Sequence, residues 1–177
     1  MAEILTTVFF MFAVIDPIGT IPVYLEATKE FDIIHKKKIA IRASIMAFLI
    51  LLFFIVIGQI ILDGMEVSLD AFQISGGVIL FLFALTMIFG EGKPEQEKNR
   101  ITDYKHVTIF PIAIPSLASP GAIMAVVLMT NNQIYSIQEQ AITSFIVLIV
   151  IGITCLILLT ANYLQKLIGS YGITVLS

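Results

Sequence analysis

The stretch Phe9–Leu25, FFMFAVIDPIGTIPVYL, decides how the whole chain is read. Its flanks are apolar enough for lipid, yet Asp16, Pro17 and Gly19 stand at its centre. A carboxylate side chain accepts hydrogen bonds from the free N–H groups at a helix start. Proline suits the first helical position, where its missing N–H costs nothing. A carboxylate followed at once by proline, halfway along an apolar run, describes a helix that stops and restarts inside a membrane.

The composition supports that setting. Of 177 residues, 58% are hydrophobic and only 13% charged, and the mean hydropathy is +1.00. Soluble domains are nearer a quarter charged. The reading is an all-α polytopic membrane protein. A β-barrel is excluded because the apolar runs are continuous and lack period-two alternation. The net charge of −3 gives no reason to expect nucleic-acid binding, and the single Cys155 excludes an internal disulfide. The N-terminus has no positive charge before its apolar run and reads as a retained helix, not a removed signal.

About 20 apolar residues cross the hydrocarbon core. Five stretches qualify: Ile4–Thr28, broken at Asp16; Ile39–Leu62; Leu69–Gly90; Val107–Thr130, broken at Ser119; and Ala141–Leu164. The cations fall into a pattern. Lys29, Lys36, Lys37, Lys38 and Arg42 lie between the first two spans, Lys93, Lys98, Arg100 and Lys105 between the third and fourth, and Lys166 after the fifth. The connections 63–70 and 131–140 hold none. All ten Lys and Arg residues are therefore on one side, which the positive-inside rule makes cytoplasmic, with the N-terminus outside. The Lys-rich loop reads first as this topology signal and second as a surface for anionic lipid.

Ser119-Pro120-Gly121 repeats the construction of Asp16-Pro17, 103 residues later. Three crossings separate the two, so the second copy is inverted. Inverted repeats with discontinuous helices are a common plan of secondary transporters. The expected organisation is a first repeat at 1–90 with three helices, a cytoplasmic loop at 91–106, and a second repeat at 107–177 with helices four, five and the start of six. A sixth helix is expected to begin near Gly172–Thr174, and the missing remainder is read as truncation.

DPIGTIPVYL in the first span, FQISGGVILFLFALTM in the third and FPIAIPSLASPGAI in the fourth resemble the MarC family of membrane proteins. The resemblance runs along essentially the whole chain. It implies six transmembrane helices in two inverted halves, residence in the inner membrane, and transport of small neutral amino acids such as glycine and alanine.

Asp16 is the one acidic residue deep in any expected span, and an intramembrane charge usually marks an ion or solute path. For an amino-acid solute, the ammonium would suit Asp16. The carboxylate would suit backbone N–H groups near Gly19 and Gly121, at two helix starts with partial positive charge. The substrate-binding residues expected are Asp16, Pro17, Gly19, Gln73, Gly76, Ser119, Pro120 and Gly121. Gln73 and Gly76 also fit plain helix packing, and Asp16 also fits a plain cap. Asn131 and Asn132 read as an exposed turn, and Asn162 as interfacial. His35 and His106 have no neighbouring ligand residues, so no metal site is expected. No phosphate-binding loop, cofactor motif or catalytic set is apparent, and the chain reads as not an enzyme. The expected partners are an amino-acid solute, the bilayer and a coupled proton or sodium ion, with an oligomer compatible. Three readings stay open: a secondary transporter, a passive channel, and a membrane protein without transport.

Overall fold

The computed structural model describes residues 2–89 and 104–176. It is all-helical among those residues: α1 (Ala2–Ile15), α2 (Thr20–Thr28), α3 (Ile33–Gly64), α4 (Leu69–Phe89), α5 (Tyr104–Val107), an irregular wide-turn segment (Thr108–Leu117), α6 (Pro120–Met129) and α7 (Ile137–Leu176). Most of the expected loop at 91–106 lies outside the described residues, although Tyr104–Val107 is helical.

Among the described residues three stretches are long and apolar enough to cross a membrane: Ile4–Thr28 across its break, Ile33–Gly64 and Ile137–Ala161. A fourth is the pair Tyr104–Leu117 and Pro120–Met129, bent by 55°. The interruptions at Asp16 and Ser119 are therefore real features of the backbone. The third expected span, α4, is a helix of 21 residues, several of whose later side chains lie outside the described residues. The expected end of helix five near Leu164 and start of helix six near Gly172 are not seen, since α7 continues unbroken to Leu176. No proline and no capping residue followed by proline interrupts that stretch.

The bundle centres on α3 and α7, which pack along each other, with α1 also against α7. The buried stripe of α3 runs Ala40, Ala43, Ser44, Ala47, Leu51, Ile55, Gly58 and Leu62, spaced by three and four as a single helix face requires. Small residues on this stripe let neighbours approach closely, which is how helices gain packing energy where lipid removes the usual hydrophobic drive. Gly58 shows the closeness: a Cβ there would lie 2.6 Å from Val127 Cγ2 on α6. Large apolar side chains such as Phe9, Val56, Phe145 and Leu156 point out of the bundle, where a bilayer supplies their solvent.

The two ends differ in chemistry. At one end the Arg42 guanidinium stands 5.5 Å over the Tyr104 ring, and His35 meets the same ring at 5.4 Å. The two basic connections, 29–42 and the approach to Tyr104, therefore share that end. At the other end Asn131 Nδ2 donates to Gln59 Oε1 at 2.7 Å, and Gln59 Nε2 donates to Asp63 Oδ1 at 2.7 Å. The connections free of Lys and Arg are thus also side by side.

Candidate functional site

The first break is a capped turn. Asp16 N donates to Phe12 O at 3.1 Å, the last bond of α1. Asp16 then takes φ +50°, a left-handed conformation that Asp tolerates better than most residues. Its Oδ1 accepts from Gly19 N at 3.0 Å. Its carbonyl accepts from Thr20 N at 3.2 Å and from Thr20 Oγ1 at 2.9 Å. Asp16 and Gly19 are half-buried and Pro17 is buried. Pro22 falls in the first turn of α2, where it displaces no helical bond.

The second break uses the same bonds. Ser119 is extended, φ −69° and ψ 158°, with Pro120 next at the start of α6. Its Oγ accepts from Ala122 N at 3.0 Å, and its carbonyl accepts from Ile123 N at 2.9 Å. At each break, the capping side chain takes the N–H three residues on and the carbonyl takes the N–H four residues on. The position after the cap is proline. That leaves two amides, of Ile18 in the turn before α2 and of Gly121 in the first turn of α6, with no acceptor among the described residues.

Of the backbone N–H groups expected near Gly19, that of Gly19 itself is taken by Asp16 Oδ1, and that of Ile18 has no acceptor among the described residues. The glycine has a different purpose: a Cβ at residue 19 would lie 2.0 Å from Asp16 Oδ2. Gly121 is buried, and its amide has no acceptor among the described residues. Ser119 is buried and Pro120 exposed.

On α4, Gly76 is buried against α6, where a Cβ would sit 1.3 Å from Met124 Sδ. Gln73, one turn earlier, is exposed. The expectation of an exposed turn holds for Asn132 but not for Asn131, which is 1% exposed and bonded to Gln59. The Asn162 side chain lies outside the described residues.

The two broken spans pack on each other half by half. α1 packs on α6, and α2 packs on the segment Thr108–Leu117. In that segment Phe110 and Ile114 have extended dihedrals and both Phe110–Pro111 and Ile114–Pro115 are cis. Beside it, α3 contributes a residue the sequence reading missed. Ser44 Oγ is buried with no hydrogen-bond partner. The buried hydroxyls of Thr28, Thr130 and Thr154 all bond back to their own helix. The signal available in the sequence was a serine on an otherwise alanine-lined stripe. Among the described residues no group of His, Cys, Asp and Glu could hold a metal ion.

A helical membrane protein whose spans are twice interrupted by matching caps is the class this geometry defines. The chain belongs to the MarC family of integral membrane proteins, whose family model matches residues 1–177. It is 32% identical over 180 residues to a UPF0056 membrane protein of Buchnera aphidicola subsp. Acyrthosiphon pisum, covering 99% of this chain and 87% of that one. A UPF0056 membrane protein of Methanocaldococcus jannaschii is 31% identical over 170 residues, covering 94% of this chain and 82% of the relative. These names say that the relatives are membrane proteins and no more. No solved structure matches the chain.

Proposed function

We propose that this chain is a secondary transporter of small neutral amino acids, of the size of glycine and alanine, with its site at the two breaks. The observation that carries the reading is the bond-for-bond match between Asp16-Pro17 and Ser119-Pro120 in elements packed on one another. The solute carboxylate takes the amides of Ile18 and Gly121, where two helix starts place partial positive charge. The solute ammonium takes Asp16 Oδ2, which has no protein donor among the described residues. Close packing around Gly19 and Gly121 favours a small side chain, and the Ser44 hydroxyl supplies a further polar contact.

In this reading the chain is two inverted repeats carrying five spans. The half-by-half pairing of α1 with α6 and α2 with Thr108–Leu117 supports it, because antiparallel spans paired this way bring their breaks to one level. The shared basic end supports a cytoplasmic side for Lys29–Arg42 and Lys105, with the N-terminus outside the inner membrane. A proton or sodium ion is coupled through Asp16, the one carboxylate at the breaks.

The test is uptake and counterflow of radiolabelled glycine and alanine in proteoliposomes. Saturable uptake, accelerated by amino acid trapped inside and lost in Asp16→Asn, is the expected result. Large, unsaturable flux would replace the transporter with a passive channel. No flux of either amino acid would leave a membrane protein without this activity.

A further inference from the structure

At the basic end, away from the two breaks, the outer surface carries a groove of about 250 Å³ lined by Arg42, Ile45, Met46, Lys105, Thr108 and Ile109. We propose that this groove holds one anionic phospholipid, its phosphate between Arg42 and Lys105 and part of an acyl chain along Ile45, Met46 and Ile109. The proposal is independent of what the protein transports.

Position argues for a lipid. From Arg42 to the end of α3 at Gly64 the helix is about 33 Å long at 1.5 Å per residue, close to the roughly 30 Å of a hydrocarbon core. Arg42 therefore stands at the headgroup boundary, and the groove opens just inside it. Ile41, Ile45, Leu49 and Ile109 are all exposed on this surface. Such side chains face acyl chains in a bilayer, so what fills a recess among them is a lipid tail.

Charge narrows the choice of lipid. Arg42 has no carboxylate partner among the described residues; the ion pairs there are Lys29–Glu26 and His35–Asp32. Its guanidinium is fixed over the Tyr104 ring, with one N–H directed to the Tyr104 hydroxyl at 3.4 Å. A planar guanidinium held by an aromatic face keeps its other donors in a fork that matches a phosphate. Lys105 also lines the groove and is the second cationic residue there. Thr108, which could have offered a polar wall, turns its hydroxyl to Tyr104 O at 2.8 Å. Cations at the rim over apolar walls describe an amphiphile with a negative head. A free anion would gain nothing from the walls, and a zwitterionic lipid would bring a choline or amine charge against Arg42 and Lys105.

The experiment is native mass spectrometry of the delipidated protein in detergent, titrated in parallel with phosphatidylglycerol, phosphatidylcholine and inorganic phosphate. Thermal unfolding is followed by circular dichroism on the same samples. One phosphatidylglycerol is expected to bind at least tenfold more tightly than phosphatidylcholine and to raise the unfolding temperature, with phosphate doing neither. Arg42→Gln with Lys105→Gln should remove the preference for phosphatidylglycerol. Ile45→Trp, which keeps both cations and fills the groove, should lower affinity for phosphatidylglycerol at least tenfold without changing unfolding in lipid-free detergent. Equal binding of the two lipids, reproduction of the effect by phosphate alone, or full binding in both variants would overturn the proposal. So would a groove closed by a second copy of the chain, seen as a dimer that Ile45→Trp dissociates.

Discussion

Asp16 does three separable things in this structure, and substitutions at one position can pull them apart. It holds a left-handed backbone conformation, φ +50°; it caps Gly19 N–H through Oδ1 at 3.0 Å; and it supplies the one carboxylate at the breaks. Asp16→Asn keeps the acceptor oxygen and a residue tolerant of positive φ, so its unfolding free energy should stay within about 0.5 kcal/mol of the wild type. Asp16→Gly frees the backbone and loses only the cap, for which glycine costs a few tenths of a kcal/mol. Asp16→Ala loses the cap, about 1 kcal/mol, and forces a Cβ-bearing residue into the left-handed region, roughly 1–2 kcal/mol more. Its loss should be about 2–3 kcal/mol on the same two terms. Unfolding in mixed micelles with rising dodecyl sulfate, followed by circular dichroism, measures the series. The expected order is Asn, then Gly, then Ala, with amino-acid uptake abolished in all three because all lack the charge. If Asn were as damaging as Ala, the charge itself would be holding the turn together and the capping account would be wrong. If Asn transported like the wild type, Asp16 would be a cap and nothing else.

Gly58→Ala should cost about 1–3 kcal/mol by overpacking, because the new Cβ meets Val127 Cγ2 at 2.6 Å. Val127→Ala in the same chain should recover most of the loss, whereas Gly77→Ala and Gly152→Ala, which meet open space, should not destabilise. Asn131→Leu leaves Gln59 Oε1 and Gln133 N–H without their 2.7 Å partner. It should cost roughly 1–3 kcal/mol and raise amide exchange in the 131–136 turn. Asp32 caps α3 by accepting from His35 N at 2.8 Å. That bond, then the His35 ring, lowers its pKa from the ordinary 3.8. Its stabilisation is therefore complete above pH 3.8 and is lost as pH falls through the lowered folded value. Asp32→Asn, which caps without titrating, should flatten the acid limb of an unfolding-versus-pH curve; an unchanged limb would refute the assignment.

The sequence exposed the two breaks because an Asp-Pro and a Ser-Pro pair are conspicuous in apolar runs; Ser119 caps α6, while Asp16 closes the turn that leads into α2, whose own cap is Gly19. It exposed the pairing of the basic connections because charge asymmetry is a property of composition along the chain. It could not say which amide at the first break is left over. That depends on the carboxylate reaching the third residue on, a matter of dihedral angles and not of residue type. Nor could it pair Asn131 with Gln59, 72 residues away. A polar side chain near the end of an apolar helix hinted at a partner without naming it. The continuation of α7 past Leu164 was missed because the apolar run ends there and the repeat offset puts the next helix start near Gly172, neither of which is a local stop signal.

The caps match, but the paths leading to them do not, and the difference explains the composition of α3. Before Asp16 the chain is regular helix to Ile15. Before Ser119 it passes through ten residues, Thr108–Leu117, with extended dihedrals at Phe110 and Ile114. Backbone of that kind persists at membrane depth only where protein or a water-lined cavity covers it, since hydrocarbon cannot satisfy its polar groups. Here α2 and α3 cover it. In the half of α3 nearest the basic end, where this segment runs, the buried positions after Ile39 are Ala40, Ala43, Ser44 and Ala47; beyond them they are Leu51, Ile55 and Leu62. Four small side chains in a row stand where the irregular backbone packs, whereas the far half is mostly large, with Gly58 the exception where α6 comes close. Ser44, the buried hydroxyl left without a partner, falls in the small half. There an unclaimed hydroxyl is tolerable only beside a group or a solute that can share it. Ser44→Ala, which removes the hydroxyl without enlarging the side chain, should leave unfolding unchanged or slightly improved while raising the KM for amino-acid uptake severalfold. A loss of stability of 1 kcal/mol or more would mean that the hydroxyl already has a partner within the protein, and the link between this stripe and the solute would fail.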